Sequence, residues 1–299
     1  MPLKWTDEIV SPRGQALKWF EPASNVLLDF HGDPLEADLV VFSDGNHHMA
    51  LLPALQAFRD AHPQVKEVFY ATTPPGPLVS LLKQGRLRLG NFTLSVRPHV
   101  FLSPPRVLDQ LREESCVGEH KLLARNQGSV LLVRRGNPKQ ISGVADLARP
   151  EVRLFISNPE TERVSYAGYR QSLEAMAGLQ GPALDAFAAA VFGETAVWGR
   201  RIHHREAPEA VAAGTADAAV VYYHLALRYT RLFADTFDFI PLGGTKARPA
   251  PPSENRVAAI HAALVDEGGL WGRPLLSFLL SRKAADIYAE HGLRHALDL

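Results

Sequence analysis

The chain has 299 residues, 46% of them hydrophobic, and its 32 Lys and Arg balance its 32 Asp and Glu. That length suffices for two cores, and a net charge of zero removes any general attraction to nucleic acid or an anionic membrane. The single cysteine, Cys116, excludes an internal disulfide framework and a CxxC metal site, and no apolar run approaches the ~20 residues of a membrane span.

Residues 1–37 read as an irregular N-terminal extension, broken by Pro12, Gly14, Pro22, Gly32 and Pro34, with Trp5, Trp19 and Phe20 as apolar anchors wanting burial. The opening "MPLKWTDEIVSPRGQALKWF" holds neither an apolar h-region nor an A-x-A-like cleavage site, so the expected location is the cytoplasm. From Asp38 a strand-then-helix rhythm sets in. Leu39–Phe42 is a strand, and 47–61 a helix with Leu51, Leu52, Leu55 and Phe58 on one face, kinked or started late by Pro53. Val65–Ala71 is a strand and Leu78–Gln84 a helix closed by Gly85. "RLRLGNFTLSVRP" alternates as a hairpin, "HVFLS" is a strand, and "PPRVLDQLREE" a helix with proline in its first turn.

A second block follows the same rhythm: "SVLLVRRGNP" as a strand, "SGVADLA" as a short helix, "EVRLFISNPE" as a strand, then helices in "YAGYRQSLEAMAG", "PALDAFAAAVFG" and "EAPEAVAAG". "ADAAVVYYH" reads as a buried strand, with Tyr222 and His224 on one face and Tyr223 on the other. Two apolar runs, around "FDFIPLGG" and "RVAAIHAALV", flank a Pro-rich link, and the chain closes in one amphipathic helix ended by Gly292. Strands alternating with helices imply βαβ units. The expected fold is therefore α/β, with two Rossmann-like lobes, mostly parallel sheets and a cleft between them. The first lobe is 38–125 plus 241–299, the second 126–240.

Ligands of open α/β sheets sit beyond the carboxyl ends of strands, at helix N-termini. Four such turns are polar: 43–48, 72–76, 157–160 with Ser165 and Tyr166 at the next helix head, and 201–205. Each is expected to offer unpaired N–H groups and a positive dipole end to an anion, with Asn46 as an N-cap; Asp44 argues the other way. Histidine pairs at two mouths, His47/His48 and His203/His204, could hold a transition metal or donate to an acidic ligand, but neighbours on a helix point about 100° apart, so at most one of each pair faces a cleft. Arg163 and Arg205 could clamp an anion, and Asp217 reads as a turn or capping residue. Catalysis has little to stand on. Nothing in sequence orients Cys116 against His120, and G-x-S-x-G, the P-loop and G-x-G-x-x-G are absent.

The order of these pieces resembles the type II periplasmic substrate-binding proteins, most closely the molybdate-binding branch of the ABC-transporter solute-binding proteins. The carrying stretches are "VVFSDGNHHMALLPALQAF", "PGPLVSLLKQG", "VLLVRRGNPKQISGVADLARPEVRLFISNPE", "AVAAGTADAAVVYYHLAL" and "FLLSRKAADIYAEHGL", spread over about 38–295. The resemblance implies the type II binding-protein fold and a tetrahedral oxyanion held by neutral groups. By position, Asn46 stands where the first hydroxyl would be and Thr72 or Thr73 where the second would be. Val164, Ser165 and Tyr166 represent the third turn, His204 the amide-donating position of the fourth, and Tyr222 the binding tyrosine. The expected ligand set is Ser43, Gly45, Asn46, His47, Thr72, Thr73, Gly76, Ser165, Tyr166, His204 and Tyr222. Asn for Ser, two prolines in the second turn, the histidine pairs and the missing signal peptide depart from the pattern.

These readings converge on a non-enzymatic protein, without cofactor or resident metal, closing on a molybdate- or tungstate-type oxyanion. The alternatives are a small organic carboxylate or phosphate ester, a transition metal at the histidine pairs, an enzyme using His47, His204 or Glu160 as acid or base, and an interaction protein with a vestigial cleft. The expected partner is the small anion, with an ABC transporter permease if the protein is exported; neither nucleic acid nor membrane insertion is expected.

Overall fold

A computed structural model describes residues 30–299 apart from 74, 90, 91 and 201. The extension's proposed anchors Trp5, Trp19 and Phe20 lie outside the described residues. The described chain divides into two units, one of 30–125 with 259–299 and the other of 126–258.

The first unit begins with β1 (Phe30–His31), β2 (Leu39–Ser43), α1 (His48–Ala61), β3 (Val68–Thr72) and α2 (Pro75–Gln84). The hairpin β4 (Leu87–Leu89) and β5 (Phe92–Leu94) follows, then β6 (Val100–Ser103), α3 (Pro105–Glu113) and β7 (Val117–Arg125). The second unit runs β8 (Ser129–Arg134), a 3₁₀ turn (Val144–Ala148), β9 (Leu154–Ile156), α4 (Arg163–Ala177), α5 (Pro182–Phe192) and β10 (Val197–Trp198). It ends with α6 (His203–Ala213), β11 (Ala218–Tyr222), α7 (Tyr223–Leu232) and β12 (Phe237–Pro241). The chain then completes the first unit with β13 (Ala259–Val265), α8 (Gly269–Leu279), α9 (Arg282–Glu290) and β14 (Arg294–His295).

In the first unit the strand order is β1-β3-β2-β6-β13-β7-β14. Strands β3, β2 and β6 are parallel, and the remaining pairs are antiparallel. Both faces are covered, which is why β2 (LVVFS) and β3 (VFYAT) are apolar without alternation. Leu39 and Val41 pack with Leu51, Leu55 and Phe58 of α1 and with Leu275, Leu279 and Tyr288. Val40 and Phe42 point the other way, onto Leu78, Leu81, Leu108 and Leu111 of α2 and α3. Residues 51, 54, 55 and 58 make the buried stripe of α1, and the helix runs from His48 through Pro53 to Ala61. Phe58 is fully buried and meets Trp271 and Phe278 edge-on; truncating it to Ala would cost about 3–5 kcal/mol.

In the second unit the order is β10-β9-β11-β8-β12, with β10, β9 and β11 parallel and β8 antiparallel to both β11 and β12. Asn255, buried, ties β8 to the loop after β12: its Oδ1 accepts from Ser129 N at 2.7 Å, and its Nδ2 donates to Ser129 O and Leu242 O.

Three expectations are corrected. Both sheets are mixed rather than mostly parallel, because the strands that leave and re-enter each unit pair antiparallel; the α/β class stands. The strand read as reaching His224 stops at Tyr222, and Tyr223 and His224 open α7. The final amphipathic stretch is two helices, separated where Ser281 caps α9 by accepting from Ala284 N at 3.4 Å. Strand β7 was not read at all: its burial follows no clean alternation.

Candidate functional site

In the first unit, three parallel strands end side by side in hydroxyl residues. Ser43 of β2 is in register with Thr72 of β3, and it pairs with Leu102 of β6, so Ser103 lies one step further on. All three are buried. Ser43 Oγ is hydrogen-bonded to His47 Nε2 at 2.8 Å, and His47 Nδ1 to the Tyr288 hydroxyl at 2.9 Å. Thr72 Oγ1 is 3.0 Å from His31 Nε2. His48 donates from Nδ1 to Gly45 O at 2.9 Å. Gly45 has φ +78°, and a Cβ there would lie 2.7 Å from Thr72 O, so this turn needs glycine to pass so close to β3.

Asn46 does not cap α1; His47 occupies that position, and the Asn46 N–H turns back to Asp44 Oδ1 at 3.3 Å. Asp44 is itself buried, and burial pushes its carboxyl up to about 6, partly offset by the Asn46 bonds. Thr73 is buried after β3, and Gly76 is exposed in the first turn of α2.

In the second unit, Ser157 follows β9 and is buried, with Oγ lacking a hydrogen-bond partner. Asn158 organises the next turn: its Oδ1 accepts from Glu160 N and Thr161 N, and its Nδ2 donates to Gly199 O at 3.0 Å. Ser165 and Tyr166 lie at the start of α4. The Tyr166 ring packs on Trp198 and Phe192 and its hydroxyl accepts from Arg170 at 3.1 Å, so its surroundings are those of a packing residue with an anchored tip. Tyr222 lies against Tyr169 at 5.1 Å and stacks on His224 at 5.7 Å, so Tyr222 and His224 do share a side, through the turn rather than through strand alternation.

The mouth of α6 departs most from the expected anion cradle. His203 N donates to both carboxylate oxygens of Glu162, at 3.2 and 3.1 Å, and Arg200 N donates to Glu206 Oε2 at 2.6 Å. The amides meant for an anion are held by two acidic side chains. Burial, with a further push from Glu206, raises the Glu162 carboxyl to about 7. His203 is buried, and burial drives it down to about 4, so it is neutral near pH 7. Its Nε2 lies 2.7 Å from Val220 O; a carbonyl only accepts, so Nε2 carries the hydrogen and the partnerless Nδ1 is a buried acceptor. His204 is half-buried, and its carbonyl accepts from the Tyr229 hydroxyl. Asp217, read as a turn or capping residue, accepts from Arg153 N at 2.9 Å and from Arg153 Nε at 3.2 Å, a link to a residue 64 positions away.

Among the described residues, no three or more His, Cys, Asp or Glu side chains gather as a metal ligand set. No helix among them is long and apolar enough to cross a membrane.

A family model described as bacterial extracellular solute-binding protein matches residues 39–294. The chain belongs to that family.

No curated protein matches it in sequence. Solved structures do match in fold. The periplasmic molybdate-binding protein of Azotobacter vinelandii has a TM-score of 0.60 at 18% identity, covering 86% of this chain and 98% of its own. The sulfate-binding protein SubI of Mycobacterium tuberculosis H37Rv has a TM-score of 0.61 at 17% identity, covering 86% of each chain. PEB3 bound to L-phospholactate has a TM-score of 0.61 at 14% identity, covering 86% of this chain and 99% of its own. The fold is that of the type II periplasmic binding proteins.

Membership corrects the cytoplasmic expectation: the family is extracellular or periplasmic. The absent h-region described twenty residues, and those residues do not decide where this solute-binding protein works. Sequence reasoning also missed Ser103 and Glu162, and it placed Ser157 in the third polar turn but left it out of the ligand set. Ser103 had a usable signal, since "VFLS" repeats the apolar-strand-then-hydroxyl ending of "VVFS". Glu162 had none, because a carboxylate folding back on a helix 41 residues away leaves no local pattern.

Proposed function

We propose that this protein is a non-enzymatic binder of one small anionic solute, delivering its ligand to an ABC transporter. The observation that carries the reading is the in-register ending of β2 and β3 in Ser43 and Thr72, with Ser103 one residue further along β6, within a family of solute-binding proteins. Short neutral donors at the carboxyl edge of a parallel sheet are the groups that replace the hydration shell of an anion when water is expelled. Of the candidate ligand residues, Ser43, Gly45, Asn46, Thr72, Thr73 and Gly76 lie in the first unit and Ser165, His204 and Tyr222 in the second, while His47 and Tyr166 brace and pack their own units.

The second unit favours an organic acid that also carries a hydrogen-bond donor, such as a hydroxy-carboxylate or phosphate ester. Its mouth carries two acceptor carboxylates, Glu162 and Glu206. A fully deprotonated molybdate or tungstate ion, the second reading, has nothing to donate to them. That reading rests on the resemblance and on the Azotobacter vinelandii neighbour.

Native mass spectrometry of the purified chain tests the reading. The expected result is one equivalent of a small acid, lost on unfolding and refolding and unchanged after incubation with the refolded protein. Chemical conversion of that acid would overturn the non-enzymatic reading, and a bound metal ion in its place would overturn the anionic one.

A further inference from the structure

Ser103 ends β6 directly opposite His261 of β13 in the antiparallel register. Opposed residues of such a pair share a face of the sheet, with Cβ atoms about 4.5–5.5 Å apart. Ser103 is fully buried and its Oγ has no hydrogen-bond partner. His261 passes a contact toward α3. Its Nδ1 lies 2.8 Å from Nδ1 of His120, on β7, and Nε2 of His120 lies 3.0 Å from Asp109 Oδ1, on α3. Three side chains from three elements thus run from β13, opposite the end of β6, to the outer face of α3.

The proton positions follow from the acceptors. The bond from His120 holds the Asp109 carboxyl below its ordinary range, so Asp109 is an ionised acceptor and Nε2 of His120 carries a hydrogen. Between the two facing Nδ1 atoms only one hydrogen fits. With both rings neutral, His261 supplies it and its outer Nε2 is a bare acceptor. With one extra proton, His120 becomes the cation, shielded by Asp109, and supplies the hydrogen; His261 stays neutral with a hydrogen on Nε2. Both states satisfy the inner bonds, and they differ in whether the outer nitrogen accepts or donates. The other charges facing the chain are Arg112 of α3, 3.7 Å from Asp109 and bridged to Glu119, and Arg125 of β7, which with burial and the His120 charge opposes protonation of His261 itself.

We propose that Ser103 and His261 form a subsite for an oxygen atom of a small anion, and that the Asp109–His120–His261 chain takes up one proton as the anion binds. The proposal rests on the anion-binding reading above. The hydroxyl of Ser103 and the protonated Nε2 of His261 are the two donors, while His120 and Asp109 are positioning residues that choose which state His261 presents. Anion binding stabilises the protonated pair, so affinity falls by up to tenfold per pH unit above the pair's own midpoint.

The test uses the full chain carrying Glu162→Gln, so that Glu162 cannot contribute a proton, with ¹⁵N-labelled histidine. Molybdate and L-lactate serve as probes, since neither takes up a proton between pH 7 and 8. The expected result is that the His261 Nε2 resonance moves from the bare to the protonated range on adding the anion, and that calorimetry in two buffers returns one proton taken up. His261→Gln should abolish the uptake and weaken binding at least tenfold, while Asp109→Asn should retain binding and shift its pH midpoint downward. Binding that leaves the His261 resonances and the proton count unmoved would overturn the subsite and leave the anion-binding reading standing. Absence of any heat or stabilisation with either anion would overturn both.

Discussion

His47 stands between Ser43 and Tyr288, with Nε2 2.8 Å from the Ser43 hydroxyl and Nδ1 2.9 Å from the Tyr288 hydroxyl. Both ring nitrogens of this buried histidine are engaged within the unit, so it braces the first turn against α9 and has none left for a metal ion. Tyr288→Phe should lower stability by about 1–2 kcal/mol, the cost of a buried group losing its partner. His47→Ala, which also leaves a cavity, should cost about 2–4 kcal/mol. Denaturant midpoints at unchanged slope measure both; a His47→Ala midpoint equal to wild type would show that the bridge contributes nothing.

Asp44 carries a sign that can be checked. Its carboxyl is raised from 3.8 to about 6 by burial, so between those values the folded state holds more protons than the unfolded one. Stability then falls as pH rises through that window and stays lower above it. Asp44→Asn removes the penalty, and should raise stability at pH 7.5 by about 1–3 kcal/mol while flattening the slope between pH 4 and 6. An unchanged slope in the variant would place the pH dependence elsewhere.

Gly45 is the position where the first turn tolerates no side chain. With φ +78° and the Thr72 carbonyl 2.7 Å from an added Cβ, Gly45→Ala must strain its backbone and push β3 away. The expected loss is about 2–4 kcal/mol, with a weaker ligand response, because Thr72 moves. Thermal unfolding and ligand titration of one sample report both, and a variant with a native transition temperature would contradict this account of the turn.

Glu162 occupies the amide of His203 that an anion would otherwise use. With its carboxyl near 7, anion affinity at this mouth should rise as pH falls through neutrality. Glu162→Gln should tighten anion binding at pH 8 severalfold and reduce this dependence. Weaker binding in the variant would instead mean that the carboxylate is the group the ligand's own donor seeks.

The fold was legible because its signals are local and repeated. Apolar runs such as Leu39–Phe42 end in polar turns, and Gly178 and Gly214 close helices in the left-handed conformation at α4 and α6. The misreadings came where tertiary pairing overrides local pattern. Tyr223 and His224 have strand-like composition yet open a helix, and Val117–Arg125 forms a nine-residue strand with no regular alternation. Of the site, the turns at Ser43 and Thr72 were visible because strand ends are. The contacts that decide its chemistry were not: His47 to Tyr288 spans 241 residues, His120 to His261 spans 141, and Glu162 reaches the head of a different helix.

A thermal-shift panel tests the central claim most directly, with hydroxy-acids and phosphate esters beside molybdate, tungstate, sulfate, zinc and nickel. A ligand at a hundred times its dissociation constant adds about 2.7 kcal/mol, or roughly 5–10 °C for a chain of this size. The account predicts such a rise with a small organic anion bearing a donor, larger than with sulfate, and none with the metals. A rise confined to zinc or nickel, with every anion silent, would contradict it.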